Sequence, residues 1–321
     1  MYTFYITKNG KIDREGNTLY FIGEDFKTHL PIMNISDLII SGKVSISSWA
    51  LNYLSKIGIV VHFISEDYSY LSTLFPSNSN EQGDLTIKQA IHYLDLNKRM
   101  KIAVEIVKGI KNNIIKNLKY YNENNTLNEF IKRIENYSIS SNTIDGLRGI
   151  EGNIWSVYYS AFPLMFKGIQ NFERKFNPPP DPLNAMISYG NSILYSIALT
   201  AIKISGLNPS ISYVHEPSDR SFSLALDIAD VFKPIIVERV IGTLINKGIM
   251  KESYFTYREG GCYLNDFGRK VFIENFRNKL ESTIKINNKY YSYQGLILEE
   301  CYKIRKHLNE ELNYKSFKVE E

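Results

Sequence analysis

Two hydrophobic rhythms divide the chain near residue 76. Before it, short β-branched or aromatic runs at Thr3–Thr7, Thr18–Ile22, Asp37–Ser41 and Ile59–Ile64, broken by Asn9-Gly10 and Pro31, predict strands. One helix interrupts them. Ser47-Ser48 caps a segment whose apolar side is Trp49, Leu51, Tyr53, Leu54 and Ile57, and Gly58 ends it. The polar run from Ser77 to Gly83 has no periodicity and reads as a linker. Beyond it Ala103, Ile106, Val107, Ile110, Ile114 and Leu118 recur at three- and four-residue steps, which predicts a long amphipathic helix. Thr126-Leu127-Asn128-Glu129 has capping-box spacing and should open another. From Gly152 to Phe166 a further helix carries Ile154, Trp155, Tyr158, Tyr159 and Phe162, an aromatic stripe that reads as core rather than as a base-stacking platform. Helices over Ser188–Ser205, Ser223–Lys247, Asn265–Ile284 and Tyr293–Leu312 complete the pattern. The expected fold class is α+β: a small β-rich domain at residues 1–76, a linker at 77–83, and a larger all-α domain at 84–321.

A 321-residue chain with 44% hydrophobic residues can bury a large core without covalent staples. Its two cysteines, Cys262 and Cys301, have no C-x-x-C spacing, so neither a disulfide framework nor a zinc ribbon is indicated. Core thiols fit a reducing cytoplasm. No apolar run approaches the length that spans a bilayer, and Met1–Thr7 lacks the basic start and long apolar stretch of a signal peptide, so a cytoplasmic protein is expected. The net charge of +4 does not announce a partner by itself. Its distribution says more: Lys98 to Lys175 holds thirteen Lys and Arg against seven Asp and Glu, an excess above that of the whole chain. Such a surface attracts a polyanion, although a solvated helix face is the commoner cause.

The candidate chemistry lies in Glu151, His215 and Asp230. Two carboxylates and an imidazole suit Mn²⁺ or Mg²⁺ better than Zn²⁺, which recruits Cys or more His. Asp227 and Asp230, three apart in a helical stretch, share one face and repel unless a cation or a basic group lies between them. His215 stands across the loop Glu216-Pro217-Ser218-Asp219-Arg220, which must fold back to bring it near. Taken singly, a helix Glu is usually solvated and a His usually satisfies a hydrogen bond, so spacing alone leaves both readings open.

Longer motifs surround these residues. Phe176-Asn177-Pro178-Pro179-Pro180-Asp181-Pro182-Leu183-Asn184 opens a helix after a proline run. It is followed by Gly206-Leu207-Asn208-Pro209-Ser210-Ile211-Ser212-Tyr213-Val214-His215-Glu216, by Leu226-Asp227-Ile228-Ala229-Asp230 and by Phe232-Lys233-Pro234. Together with the strand-rich start, these motifs resemble the integrase family of CRISPR adaptation, Cas1, over nearly the whole chain. The resemblance implies a homodimer joined through the β domain that assembles with a dimer of the small protein Cas2 and inserts short DNA fragments as new spacers. It places Glu151, His215 and Asp230 on the catalytic metal ligands for Mg²⁺ or Mn²⁺, and Asp227 on the neighbouring acid, a supporting or alternate ligand. Many members have Glu where Asp230 stands and Arg where Lys233 stands. Asp remains a hard oxygen ligand, but Lys233 lacks the bidentate fork.

Strand transfer needs a DNA 3′-hydroxyl to attack a phosphodiester, and a divalent ion removes the need for a protein nucleophile. Arg148, Arg174, Lys175, Arg220 and Lys233 lie near the ligands in sequence and are the candidate phosphate contacts. A stand-alone nuclease or a transposon-associated recombinase would use the same site. A catalytically silent DNA-binding scaffold is disfavoured, because all three ligand positions carry competent side chains.

Overall fold

The computed structural model describes residues 2–65, 67–68, 70–76, 83–176, 178–218 and 221–319. The chain opens with β1 (Tyr2–Ile6), β2 (Gly10–Glu15), β3 (Thr18–Ile22), β4 (Lys27–His29), β5 (Ile35–Ile40) and β6 (Val44–Ile46), followed by α1 (Ser48–Lys56), β7 (Val60–Ile64) and β8 (Tyr70–Leu74). One sheet has the order β1-β5-β7-β8, the other β4-β3-β2-β6. In the first, β5 lies parallel to both β1 and β7, and its six residues are all buried. Leu38, Ile39 and Ile40 supply the apolar run that a strand covered on both faces requires, and the buried Asp37 within it accepts from Thr3 and Ser36. The sequence pattern found these central strands and missed β2, β4, β6 and β8. The expected linker lies outside the described residues except for Gly83, the first residue of the next helix.

The rest is mainly helical: α2 (Gly83–Leu94), α3 (Leu96–Tyr121), α4 (Asn128–Glu135), α5 (Ile144–Ser160), α6 (Phe162–Met165), α7 (Pro182–Ser205), α8 (Ser223–Asn246), α9 (Asp266–Glu281) and α10 (Tyr293–Leu308). The region is not all-α. Two hairpins, β9 (Phe255–Arg258) with β10 (Gly261–Leu264) and β11 (Thr283–Ile286) with β12 (Lys289–Ser292), flank α9. Helix starts follow their caps: Ser47 Oγ accepts from Ala50 N, Thr143 Oγ1 from Gly146 N, and Asp181 Oδ1 from Asn184 N just before Pro182. Thr143 therefore starts α5 eight residues before the expected Gly152. The Thr126 capping box does not form. Thr126 Oγ1 donates to Glu123 O, and the Leu127 N–H goes to Asn122 Oδ1 instead.

α7 and α8 pack on each other and form the centre of the helical core, with Ile193, Leu199, Phe232 and Ile236 buried. α7 is long and apolar enough by composition to cross a membrane, contrary to the sequence expectation; most of it is enclosed within the fold. Complete burial of one such side chain contributes roughly 1.5–3 kcal/mol. The strand-rich region has its own cluster around Ile12, Leu19, Leu38, Leu54 and Val61, while Ile39, Ile64 and Tyr68 join the helical core. His62, fully buried, meets Thr200 Oγ1 of α7 at 2.7 Å, so the two regions are also tied by polar contacts.

Candidate metal centre

Three elements converge on one buried spot: α8 carries Asp227 and Asp230, α5 carries Glu151, and the loop before α8 carries His215. Asp227, 1% exposed, shapes that loop. Its Oδ2 accepts from Tyr213 N at 2.7 Å and Val214 N at 3.0 Å, and its Oδ1 accepts from His215 N at 3.0 Å. The His215 ring donates from Nδ1 to Oδ1 at 2.8 Å. A carboxylate only accepts, so this bond sets the tautomer and leaves Nε2 as the free nitrogen, 4.0 Å from Asp230 Oδ2. Fixing a ligating imidazole through its other nitrogen is the usual role of a carboxylate behind a metal-binding histidine. With both oxygens occupied, Asp227 is a support, and the geometry disfavours it as an alternate ligand.

A second clamp comes from α3. Arg99 donates to Tyr213 O at 2.9 Å and pairs with Glu216 Oε1 at 2.8 Å, while the Tyr93 hydroxyl donates to Glu216 Oε2 at 2.7 Å. Sequence reasoning passed over Arg99, because only the fold brings its helix beside residues 213–216.

Asp230 is saturated far less. Its Oδ1 is buried, has no partner of hydrogen-bond geometry, and touches only the ammonium of Lys233 one helical turn on. Glu151, 7% exposed, accepts from Trp155 Nε1 at 3.1 Å. Burial and the charge of Asp230 push the Glu151 carboxyl up to about 7. Burial pulls His215 down, but its bond to Asp227 and the surrounding carboxylates outweigh this and raise it to about 9. Among the described residues no three His, Cys, Asp or Glu side chains stand close enough together, as placed, to hold a metal ion. The chemistry of the donor set suits a divalent cation nonetheless: a buried carboxylate with an oxygen lacking a hydrogen bond, a second carboxylate crowded by it, and an imidazole whose Nε2 proton a cation would displace. Lys233 supplies the positive charge that this arrangement calls for.

Residues 4–278 match the family CRISPR associated protein Cas1. The chain belongs to that family. It is 39% identical over 328 residues to a CRISPR-associated endonuclease Cas1 of Clostridium perfringens, covering 98% of each chain. A solved Cas1 protein from Thermotoga maritima superposes with a TM-score of 0.86 at 33% identity, covering 98% of this chain and 100% of that one. A chain of a Cas6-RT-Cas1–Cas2 complex shares the fold, with a TM-score of 0.83 at 18% identity; the match spans 99% of this chain and 36% of that one.

Within this Cas1 fold the expected phosphate contacts fare differently. Arg148 is half-buried on α5, and its charge acts on Glu216. Lys175 is exposed beside Glu173 at 2.8 Å. Arg174 is spent internally: it donates to Asn184 Oδ1 at 2.9 Å and Ser188 Oγ at 3.0 Å, bolting its segment to α7. Lys233 is engaged by Asp230. Arg220 lies outside the described residues. The aromatic stripe, which runs from α5 into α6, is largely core, with Tyr158 and Phe162 fully buried and Trp155 half-buried against Glu151. The sequence also passed over Glu238, fully enclosed on α8 with neither carboxylate oxygen hydrogen-bonded.

Proposed function

We propose that the chain is a metal-dependent DNA endonuclease and integrase that inserts short DNA fragments as spacers into a CRISPR array, working with DNA and Cas2. The observation that carries this reading is the contrast at the site: Asp227 fixes His215 through Nδ1, while Asp230 has an oxygen without a hydrogen bond and its charge raises the buried carboxyl of Glu151. Glu151, His215 and Asp230 would hold one Mg²⁺ or Mn²⁺, and Asp227 would hold the loop. A bound divalent ion supplies charge stabilisation at the phosphate and eases deprotonation of an attacking 3′-hydroxyl. The residues themselves orient and exclude: Asp227 and Arg99 keep the imidazole in place, and Trp155 covers Glu151. Lys233 can turn from Asp230 toward a phosphate as a point charge. The Cas1–Cas2 fold neighbour supports the choice of Cas2 as partner, and a solved Cas1–DNA complex of related fold supports that of DNA.

The test is an integration assay with purified protein, Cas2, labelled DNA carrying 3′-hydroxyl ends and a repeat-bearing plasmid in Mn²⁺. Glu151→Gln, His215→Ala and Asp230→Asn should each lower strand transfer by on the order of 10²-fold or more. Undiminished product from any of the three would remove that residue from the site.

A further inference from the structure

The segment that follows α10 crosses back over the helical core as a strap. Fully buried Glu300 on α10 gathers it, accepting from the Tyr314 hydroxyl at 2.5 Å, Ser316 Oγ at 2.9 Å and Phe317 N at 3.0 Å. Gly109 on α3 makes room for the crossing, since a Cβ there would collide with Ser316 Oγ. Binding α10 to α3 requires no more than this. The strap nonetheless reaches α8 as well, at the two residues that follow Asp230. Phe317 stacks on Phe232 with ring centres 5.4 Å apart and planes 10° from parallel. Fully buried Asn113 donates from Nδ2 to Val231 O at 2.8 Å and to Phe317 O at 3.2 Å, and its Oδ1 accepts from Val319 N at 3.0 Å. This anchorage falls where α8 is weakest, because Pro234 has no N–H for the Asp230 carbonyl and its ring presses on that carbonyl.

We propose that the strap of residues 314–319, through Phe317 and Asn113, is a positioning device that sets the orientation of α8 at Asp230 and so the affinity of the site for a divalent cation. The inference rests on the metal reading above. With side chains a helix is about 5 Å in radius, so a rotation of roughly 10° displaces a carboxylate by about 1 Å. Ligand distances in metal sites tolerate only about 0.2 Å. A support that contacts no metal can therefore govern binding.

The test is Mn²⁺ affinity of the full chain, read from the electron-paramagnetic signal of free Mn²⁺, alongside thermal unfolding. Phe317→Ala should weaken Mn²⁺ binding about tenfold, as loss of an outer support does. Tyr314→Phe removes a bond to Glu300 but leaves the contacts with α8, so it should lower Tm with Mn²⁺ affinity unchanged. If Phe317→Ala does not fold, Phe317→Leu carries the same comparison, keeping apolar volume while losing the flat stack. Wild-type Mn²⁺ affinity in the folded Phe317 variant overturns the proposal, and equal weakening in Tyr314→Phe overturns it in favour of a general staple. Glu151→Gln separates the two levels of argument. If it abolishes Mn²⁺ uptake while Phe317 variants do not, only the strap's role fails; if wild-type uptake is indifferent to Glu151, the metal reading fails and the strap's role with it.

Discussion

Asp227 and Asp230 lie three residues apart on α8, both almost fully buried, and they are treated in opposite ways. Asp227 accepts three backbone N–H groups and the His215 ring. Asp230 has an oxygen with no hydrogen bond, an ion pair with Lys233 and the His215 ring 4.0 Å away. Burying a carboxylate is costly unless it is met by donors, so the first acid is a finished piece of architecture and the second depends on a mobile ammonium that another cation could replace. The comparison separates holding the loop from meeting a cation, although the two residues are identical in type and nearly adjacent in sequence.

The sharpest way to break that comparison is to neutralise each acid in turn. Asp227→Asn should cost about 3 kcal/mol in urea unfolding, because its new amide cannot accept what the loop donates. Asp230→Asn should fall within about 1 kcal/mol of wild type, since it also relieves repulsion with Glu151. Equal losses from both would erase the distinction.

Glu238 extends the contrast to an acid that no other residue meets with a hydrogen bond among the described residues. Burial pushes its carboxyl up to about 7, helped by Asp230 and opposed by its own backbone N–H, Lys233 and Arg174. A folded value above the unfolded one means that its contribution is intact below about pH 4.5 and is lost as pH rises through 7. Glu238→Gln should therefore match wild type near pH 4.5 and exceed it by on the order of 3 kcal/mol at pH 8. A gap that does not change with pH would show that Glu238 is not forced to ionise in place.

The smallest expected effect concerns DNA. Arg148→Ala and Lys175→Ala should each reduce the steepness of salt-dependent DNA binding by about one unit, leaving Mn²⁺ affinity unchanged. Arg174→Ala, given its bonds to Asn184 and Ser188, should act mainly on Tm. An unaltered salt slope in the Arg148→Ala, Lys175→Ala double variant would place the DNA elsewhere.

What could be read in advance follows the range of the interaction. Ser47, Asp181-Pro182 and the three-and-four rhythm of α3 act within a turn or two, so their helices were legible. Glu151, His215 and Asp230 were singled out by their types and surrounding motifs, and the fold brings their charges within reach of one another. The hairpins were missed because their strands are only four residues long, too short for a clear period of two, yet turn signals were present. Asn287 and Asn288 both have positive φ, as do Glu259 and Gly260, the geometry that tight hairpin turns demand. The Thr126 box failed because Asn122, four residues earlier, took the same N–H region. Arg99 and the strap have no local signature, since the loop at Tyr213 and the α3 residue Asn113 that give them meaning lie more than a hundred residues away in sequence; nothing in the sequence around Glu238 marks it as enclosed.

The burial of α7 has a consequence for the order in which the protein is made. α8 and α10, which pack against it, are synthesised after it, so the emerging chain presents a long apolar rod with much of its cover still missing. An uncovered surface of that kind is where aggregation and chaperone capture begin. Efficient production of the protein therefore depends on how quickly residues 223–308 follow α7 out of the ribosome.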